Sequence, residues 1–181
     1  MKPDPVAQGA HTLGLVDLIR ADYAAFELRP MQALSGLLTL SLFWLVVLHR
    51  LSHWLLQRKV PLLPAVLRSI GLALYAADLS PGARIGPGFR IVHGVGVVVG
   101  WDVEAGPGLL LYQSVTLGGR GRVVEGKWCP SLGANVTVGA GAVVLGPIHV
   151  GDSVSIGANS VVIESVPNGA HVVGNPGRII E

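Results

Sequence analysis

Aliphatic residues return at every sixth position between residues 85 and 166. Twelve lead positions carry this period, and all of them are isoleucine, leucine or valine: Ile85, Ile91, Val97, Val103, Leu109, Val115, Leu132, Val138, Val144, Val150, Ile156 and Val162. A period of six matches neither the 3.6 of a helix nor the 2 of a strand. It is typical of a solenoid built from hexapeptides, in which each unit buries its apolar face only by stacking on its neighbours. The sequence therefore predicts a β-solenoid over this stretch.

Composition limits the functions that such a chain would have. The formal net charge is +2 and charged residues make up 13% of the 181 residues, with no polybasic run, so we do not expect nucleic acid as a partner. The single cysteine, Cys129, excludes an internal disulfide and fits a reducing compartment. The first residues lack the apolar segment of a secretory signal, so we expect a cytoplasmic protein.

Two regions are predicted: a helical region over residues 1–77 and the solenoid over residues 78–181. An apolar helix is expected at about 31–57, and its first eighteen residues, Met31 to Leu48, carry no charge. Three alternatives remain open for it: a helix buried between subunits, an in-plane membrane helix, or a membrane span. We favour the first because this length is at the lower edge for a span and Gln32, Ser35 and Thr39 form a faint polar stripe. Peripheral membrane contact through this helix stays an alternative.

His49 and His53 are four residues apart and share one face of this helix. A catalytic zinc site usually needs three protein ligands, and no third ligand stands nearby in the sequence. A structural role is therefore favoured over a metal site, and we expect no metal.

Three segments, in order, carry a family resemblance. They are Ile-Val-His-Gly-Val-Gly-Val-Val-Val-Gly at 91–100, Gln-Ser-Val-Thr-Leu-Gly-Gly at 113–119 and Val-Gly-Asn-Pro-Gly-Arg-Ile-Ile at 173–180. Together they closely resemble the serine acetyltransferases of the hexapeptide-repeat acyltransferase family. The resemblance implies a left-handed parallel β-helix preceded by an α-helical segment, and a homotrimer or a dimer of trimers. It also implies acetyl transfer from acetyl-CoA to the hydroxyl of a small acceptor.

The resemblance implies that His93 is the catalytic base and that Asp78, fifteen residues upstream, is its partner. The chemistry agrees, because an imidazole removes a hydroxyl proton near neutral pH. A carboxylate on the other ring nitrogen would fix the tautomer and stabilise the imidazolium. The spacing places the two residues in neighbouring layers without stacking them directly. The alternative is a corner histidine bonded to a backbone carbonyl.

For the donor, the resemblance implies contacts between CoA and backbone groups of the later coils. The matching small residues are Gly118, Gly119, Ala140 and Ala158, and Arg178 in the closing segment is a candidate for a phosphate contact. Small side chains let a ligand approach the backbone closely, although they also serve to turn a solenoid corner.

The six-residue phase breaks between Val115 and Leu132, which are seventeen residues apart. This predicts a loop excursion at about 118–131, where substrate contacts are common on a rigid scaffold. Its Arg120, Arg122 and Lys127 would meet phosphates of CoA or of a nucleotide-linked sugar, or else form an ordinary solvated loop.

Two predicted substrate-binding positions depart from the serine enzymes. Their acidic residue before the catalytic histidine is Val92 here, and their second active-site histidine is Cys129, preceded by Trp128. Valine cannot pair with the ammonium group of serine. A lone cysteine is usually a small buried hydrophobe, so we do not expect a nucleophilic role for Cys129.

The Cys-Pro replacement at 129–130, together with the apolar N-terminal helix, looks more like the colanic-acid-type exopolysaccharide O-acetyltransferases, whose acceptors are sugars. The expected function is therefore an acetyl-CoA-dependent O-acetyltransferase that acts on a sugar hydroxyl of an exopolysaccharide precursor. The alternatives are L-serine O-acetyltransferase in cysteine biosynthesis and a noncatalytic solenoid docking module.

Overall fold

The computed structural model describes residues 13–26, 42–121 and 123–180. Predictions that fall elsewhere lie outside the described residues. These are the polar stripe of Gln32, Ser35 and Thr39, the first part of the apolar helix, and the loop cation Arg122.

The described N-terminal residues form helices, and the rest of the chain forms short strands. The helices are α1 (Leu15–Ala25), α2 (Leu42–Gln57) and α3 (Leu63–Tyr75). The strands are β1 (Asp78–Leu79), β2 (Arg84–Ile85), β3 (Arg90–Ile91), β4 (Val98–Val99), β5 (Glu104–Ala105), β6 (Leu110–Leu111), β7 (Thr116–Gly118), β8 (Ser131–Leu132), β9 (Thr137–Val138), β10 (Val143–Leu145), β11 (His149–Val150), β12 (Ser155–Ile156), β13 (Val161–Val162), β14 (His171–Val173) and β15 (Arg178–Ile180).

The strands build three parallel sheets, which are the faces of a triangular prism. Face A contains β1, β4, β7, β10 and β13; face B contains β2, β5, β8 and β11; face C contains β3, β6, β9, β12, β14 and β15. From β1 to β13 successive strands visit the faces in the order A, B, C. Strands β14 and β15 both follow on face C, where β15 pairs antiparallel with β14. The chain therefore crosses from face C to face A at one edge, called here the C–A edge, and from A to B at another, the A–B edge.

The pairing register gives the length of each coil. Ser131 lies opposite His149, so a regular coil takes eighteen residues. Asp78 lies opposite Val98, which makes the first coil two residues longer. Glu104 lies opposite Ser131, which makes the coil with the excursion nine residues longer. Ser155 lies opposite His171, which makes the last coil two residues shorter. The solenoid thus departs from the regular coil length at three places where the sequence predicted one.

The twelve lead residues are all buried, with at most 6% of any of them exposed, which confirms the solenoid core. The sequence also predicted that the six-residue period continues unbroken from Ile91 to Val97, and this prediction is wrong. Ile91 is the inward residue of β3, and the equivalent inward residue of β4 is Val99, eight positions on. Val97 is buried too, two residues before Val99, so an aliphatic residue stands at both positions and conceals the shift. The two extra residues lie in the corner at 92–97.

The helices are fastened to the first coil by a buried ion pair. The Arg50 guanidinium on α2 donates to both Asp22 carboxylate oxygens, from Nε at 2.8 Å and from Nη2 at 3.0 Å. It also donates to the carbonyls of Ile85 and Gly86, while the Phe89 amide donates to Asp22. A buried charge needs this degree of compensation. The ion pair therefore fixes α1 and α2 against the corner between β2 and β3.

Within the part of the chain that the structure describes, no helix is both long and apolar enough to cross a bilayer. The described part of the apolar segment, α2, buries Phe43, Leu45 and Val46 in the core. The side chains of α3 are different, because its outward positions expose aliphatic groups: Leu62, Leu63, Val66, Ile70, Leu72 and Leu74.

Candidate active site

Three of the predicted site residues lie along the C–A edge. His93 is exposed in the corner between β3 and β4, Ala140 follows β9 and Ala158 follows β12. The last two are in adjacent layers, since the Asn159 amide donates to the Ala140 carbonyl at 2.8 Å. Arg178 on β15 pairs with Val173, in the layer after Ala158.

Val92 lies beside His93 at the start of this corner. Its side chain is half-buried, and its amide donates to the Leu111 carbonyl at 3.0 Å in the next layer. A half-buried apolar residue therefore directly precedes the exposed His93 in this corner.

Four further predicted residues lie at the A–B edge. Gly118 ends β7, Gly119 begins the excursion, and Trp128 and Cys129 lie at its return, just before β8. Within one copy of the chain, these predicted site residues therefore fall into two groups, one at each of the two edges that bound face A.

Asp78 does not bond to His93, contrary to the expectation. Its carboxylate accepts from Arg68 on α3, with Nε at 2.5 Å from Oδ1 and Nη2 at 2.7 Å from Oδ2. This is the two-pronged geometry in which arginine binds carboxylates most strongly. No hydrogen bond reaches the His93 imidazole from any residue that the structure describes. In this structure α3 places an arginine across β1, a contact that sequence spacing within the solenoid does not reveal. The catalytic pairing of Asp78 with His93 stays a prediction.

The corner of His93 is held closely against the helices. A Cβ on Gly94 would lie 2.7 Å from Leu42 Cδ2, so a larger residue there would require the end of the Leu42 side chain on α2 to move. The Gly96 amide donates to the Ala76 carbonyl at 2.9 Å, just beyond the end of α3. Gly96 has a φ of +74°, in the left-handed region that glycine adopts without strain. The two-residue insertion therefore packs against both helices and leaves His93 outward.

Cys129 is a buried thiol held by a carboxylate. Its side chain is 5% exposed, and its Sγ lies so near Gly100 that a Cβ there would be 2.6 Å away. Asp102 Oδ2 accepts from the amides of Trp128 at 2.6 Å and Cys129 at 3.4 Å. Burial first, and then the hydrogen bond to Asp102, raise the pKa of Cys129 to about 11. The thiol is therefore neutral at physiological pH, as a buried small hydrophobe would be.

Sequence reasoning missed Asp102 and Gln113. Burial opposes ionisation of Asp102, but bonds from the Cys129 side chain and the Trp128 amide prevail and lower its pKa. Gln113 lies on the C–A edge after β6, and its buried Oε1 has no hydrogen-bond partner among the described residues. Its position at the head of the Gln-Ser-Val-Thr segment is the signal by which the sequence could have identified it. An unpaired buried amide oxygen is free to accept from a ligand.

The excursion also borders a cavity on face B of about 380 Å³. Lys127 lines it and donates to Glu104 at 2.7 Å and to Ser131 Oγ at 2.5 Å. Arg84 pairs with the same Glu104 carboxylate. Lys127 thus faces the B side, and His93 does not line this cavity. Arg120 is exposed at the start of the excursion.

The described residues gather no group of three or more His, Cys, Asp or Glu side chains that would hold a metal ion. The rings of His49 and His53 are 6.3 Å apart, and His49 meets the Phe89 ring edge-on. His53 Nδ1 lies 2.9 Å from the Pro81 carbonyl oxygen. Both histidines therefore have packing roles in this structure.

Comparison with known proteins gives the family. A family model described as bacterial transferase hexapeptide (six repeats) matches residues 130–164. The serine acetyltransferase of Synechococcus elongatus is 45% identical over 165 residues, which cover 90% of this chain and 67% of the relative. The chain belongs to the serine acetyltransferase family.

Solved structures of the family agree. Serine acetyltransferase from Brucella abortus in complex with coenzyme A superposes with a TM-score of 0.82 at 34% identity, covering 90% of this chain and 66% of that one. Soybean serine acetyltransferase complexed with serine gives 0.83 at 36%, covering 92% and 69%. The chain spans about two thirds of the length of these relatives. The predicted fold, a left-handed parallel β-helix after a helical segment, is confirmed, as is the predicted class, an acyltransferase of the serine acetyltransferase type.

The expected acceptor class is wrong. The relatives that match most of this chain are named serine acetyltransferase, so the likeness to exopolysaccharide enzymes is not supported. Two changed positions, Val92 and Cys129, were given more weight than the remainder of the chain. An identity of 45% over nine tenths of the chain outweighs them.

Proposed function

We propose that the protein transfers the acetyl group of acetyl-CoA to the hydroxyl of L-serine. The observation that carries this proposal is the exposed His93 imidazole, which stands at the head of an edge of small residues in a chain 45% identical to a serine acetyltransferase. Family structures solved with coenzyme A and with serine support the two substrates. No metal enters the proposal.

In the proposed reaction His93 acts as the general base. It removes the hydroxyl proton of serine as the oxygen attacks the thioester carbon, which forms a tetrahedral intermediate. The carbon–sulfur bond then breaks, and the imidazolium returns the proton to the departing CoA sulfur. The products are O-acetylserine and CoA. Direct transfer needs only a base and correct positioning, so the neutral Cys129 thiol takes no covalent part.

The donor is proposed to lie along the C–A edge. His93 is in the first layer, Ala140 in the third, Ala158 in the fourth, and Arg178 beside the fifth. Neighbouring strands are about 4.8 Å apart, so the first and fifth layers are separated by about 19 Å. An extended pantetheine arm along this edge would place its thioester at His93 and its phosphates toward Arg178. Gly118 and Gly119 are proposed to approach it from the other edge of face A.

A second copy is proposed to complete the site, as in the expected homotrimer. Three of the five equivalent outward residues of face A are valines, since these residues are Asp78, Val98, Thr116, Val143 and Val161. Those of face B are all polar or charged, namely Arg84, Glu104, Ser131 and His149. An apolar face on a soluble domain favours contact with another protein surface. Packing through face A would bring Trp128 and Cys129 of one copy to His93 of the next. Cytoplasmic location and membrane contact stay predictions.

The test is acetyl-CoA turnover with L-serine in the wild type and in His93→Gln. Loss of a general base lowers the rate by about 100- to 10,000-fold. His171→Gln, which changes an exposed histidine on β14, is the matched control and should keep the wild-type rate. Full activity of His93→Gln would refute the catalytic role. Absence of serine turnover in the wild type would refute the proposed acceptor.

A further inference from the structure

We propose that the turn at 58–62 and the exposed side of α3, together called here the α3 surface, bind the surface of a lipid bilayer that carries anionic headgroups. The sequence suggests membrane contact for the apolar helix at about 31–57, but the described part of that helix, α2, buries Phe43, Leu45 and Val46 in the core. The contact is therefore assigned to the next helix along the chain. It is independent of acetyl transfer.

The first support is the aliphatic exposed side of α3. The buried residues of this helix lie along one side of it: Pro64, Gly71 and Tyr75. Exposed aliphatic residues follow spacings of three, four and four, which align them along a different side: Leu63, Val66, Ile70 and Leu74. An ordinary amphipathic helix carries charged residues on its exposed side. The one charged residue of α3, Arg68, is instead paired with Asp78 on β1.

The second support is the turn that leads into this helix. Leu62 is 82% exposed, more than any other large apolar side chain that the structure describes. Its backbone has a φ of +61° and a ψ of −44°, a conformation that a bulky residue adopts only under strain. Contacts within the described chain do not offset this strain, because the side chain points away from the core. Insertion of Leu62 into hydrocarbon would do so.

The third support is the charge beside the α3 surface, which has one sign. The fifty residues from Leu28 to Ala77 contain no aspartate or glutamate, and their charged residues are all basic: Arg29, Arg50, Arg58, Lys59 and Arg68. Arg58 and Lys59 are exposed in the turn, and neither takes part in an ion pair within the part of the chain that the structure describes. The Arg58 guanidinium stacks on the Trp54 ring at 3.6 Å, and both residue types are common where a protein meets a bilayer.

This combination favours an anionic bilayer over other occupants. A bilayer uses both features, because hydrocarbon receives Leu62 while lipid phosphates attract Arg58 and Lys59. A symmetric contact with a second copy would bring the same basic stretch together with itself, and that stretch has no carboxylate to compensate. With 13 residues, α3 is too short to span a bilayer, so the proposed contact is peripheral.

The experiment measures flotation of the full-length protein with two kinds of vesicle. One contains only phosphatidylcholine, and the other also contains about one third phosphatidylglycerol, which is anionic. The aliphatic variant is Leu62→Gln with Val66→Gln. Its matched control is Val123→Gln with Ile179→Gln, which changes two exposed aliphatic residues of the solenoid.

The charge variant is Arg58→Gln with Lys59→Gln. Its control is Arg20→Gln, which removes an exposed arginine from α1. Circular dichroism should show the wild-type fold in every variant, because all the changed side chains are exposed.

We expect the wild type to float with the anionic vesicles and far less with the neutral ones. The aliphatic variant and the charge variant should each lower the partition coefficient about tenfold, whereas both controls should stay within about twofold of the wild type. Raising the NaCl concentration to about 0.5 M should weaken the binding, since salt screens the attraction between the cations and the lipid phosphates.

Three results would overturn the proposal. A wild type that does not float with anionic vesicles excludes the bilayer, and a smaller mass of the aliphatic variant in light scattering would then identify the α3 surface as a protein contact. Equal binding to both kinds of vesicle excludes recognition of anionic headgroups. Binding that the aliphatic and charge variants leave unchanged places the contact elsewhere in the chain. Flotation needs no turnover, so the outcome for acetyl transfer to serine does not affect it.

Discussion

The Cys129 thiol illustrates how neighbours decide the chemistry of a residue. It is buried against Gly100 and bonded to the Asp102 carboxylate, and both conditions disfavour the thiolate. The same carboxylate also holds the amides of Trp128 and Cys129, so it fixes the end of the excursion. Asp102 thus fixes the backbone where the excursion rejoins the coil, and it helps to keep the Cys129 thiol protonated.

We predict that Cys129 is alkylated slowly by iodoacetamide in the folded protein. With a pKa of about 11, about one thousandth of the thiol is ionised at pH 8, and the thiolate is the reacting form. Asp102→Asn removes the carboxylate, although not the burial, and should accelerate alkylation about three- to tenfold. Mass spectrometry of timed samples measures the rate, with guanidinium-unfolded protein as the reference. A folded wild type that reacts as fast as the unfolded chain would contradict the prediction.

The helices pack against one side of the candidate site. Helix α2 approaches it directly, because Leu42 lies against Gly94 in the His93 corner. Its attachment depends on Arg50, whose guanidinium reaches α1 and the first coil at once. The position of the His93 corner therefore depends on an ion pair at a different edge of the prism.

Arg50→Met should destabilise the protein by about 3 to 5 kcal/mol, because Asp22 would be left buried without its charged partner. Arg20→Met breaks the exposed ion pair of Arg20 with Asp17, which are three residues apart within α1, and should cost less than about 0.5 kcal/mol. The double variant Asp22→Leu with Arg50→Met should recover part of the loss, since no lone charge remains. Urea unfolding measures all three. A double variant as unstable as Arg50→Met alone would show that the charge is not the cause.

His49 on α2 makes the stability of the folded protein depend on pH. Burial, followed by the charges of Arg50 and His53, lowers its pKa well below the ordinary value of 6.5, and its Nδ1 has no hydrogen-bond partner in the described structure. The unfolded chain therefore binds a proton below about pH 6.5 while the folded protein does not. The contribution of His49 to stability is complete above that pH and is lost as the pH falls below it.

We therefore expect the free energy of unfolding to fall by at most about 1.4 kcal/mol per pH unit below pH 6.5 from this group. His49→Leu removes the titrating ring and should flatten the dependence between pH 7.5 and 5.5. His171→Gln, at an exposed position on β14, should leave the slope as in the wild type. Urea midpoints at the two pH values provide the measurement, and equal slopes in wild type and His49→Leu would exclude His49 as the source.

At the scale of the whole molecule, the two halves of the candidate site lie on opposite edges of face A. Val143 stands outward on β10, near the middle of that face. Val143→Glu should convert the proposed trimer to monomers and abolish acetyl transfer while the circular dichroism spectrum is retained. Thr137→Glu, outward on β9 of face C, is the matched control. Light scattering gives the mass. A wild type that is active as a monomer would overturn this prediction.

The fold was predictable because its signal is repeated: an aliphatic residue at each lead position was enough to place Ile85 and Leu132 in one core. The shift at the His93 corner was not predictable, because Val97 and Val99 are both aliphatic and both buried. The Arg68 contact to Asp78 depends on how α3 packs against β1, which no repeat encodes. The acceptor was misjudged from Val92 and Cys129, where local chemistry was read without the rest of the chain.

The eighteen-residue coil makes this molecule tolerant of some changes in length and intolerant of others. Adding or deleting a whole coil lengthens or shortens the prism and keeps every later strand on its own side. A change of six residues turns all that follows by a third of a revolution. Ala140 and Ala158 would then leave the edge of His93 while each strand still found a well-paired neighbour. The core would be preserved and the alignment of the site lost.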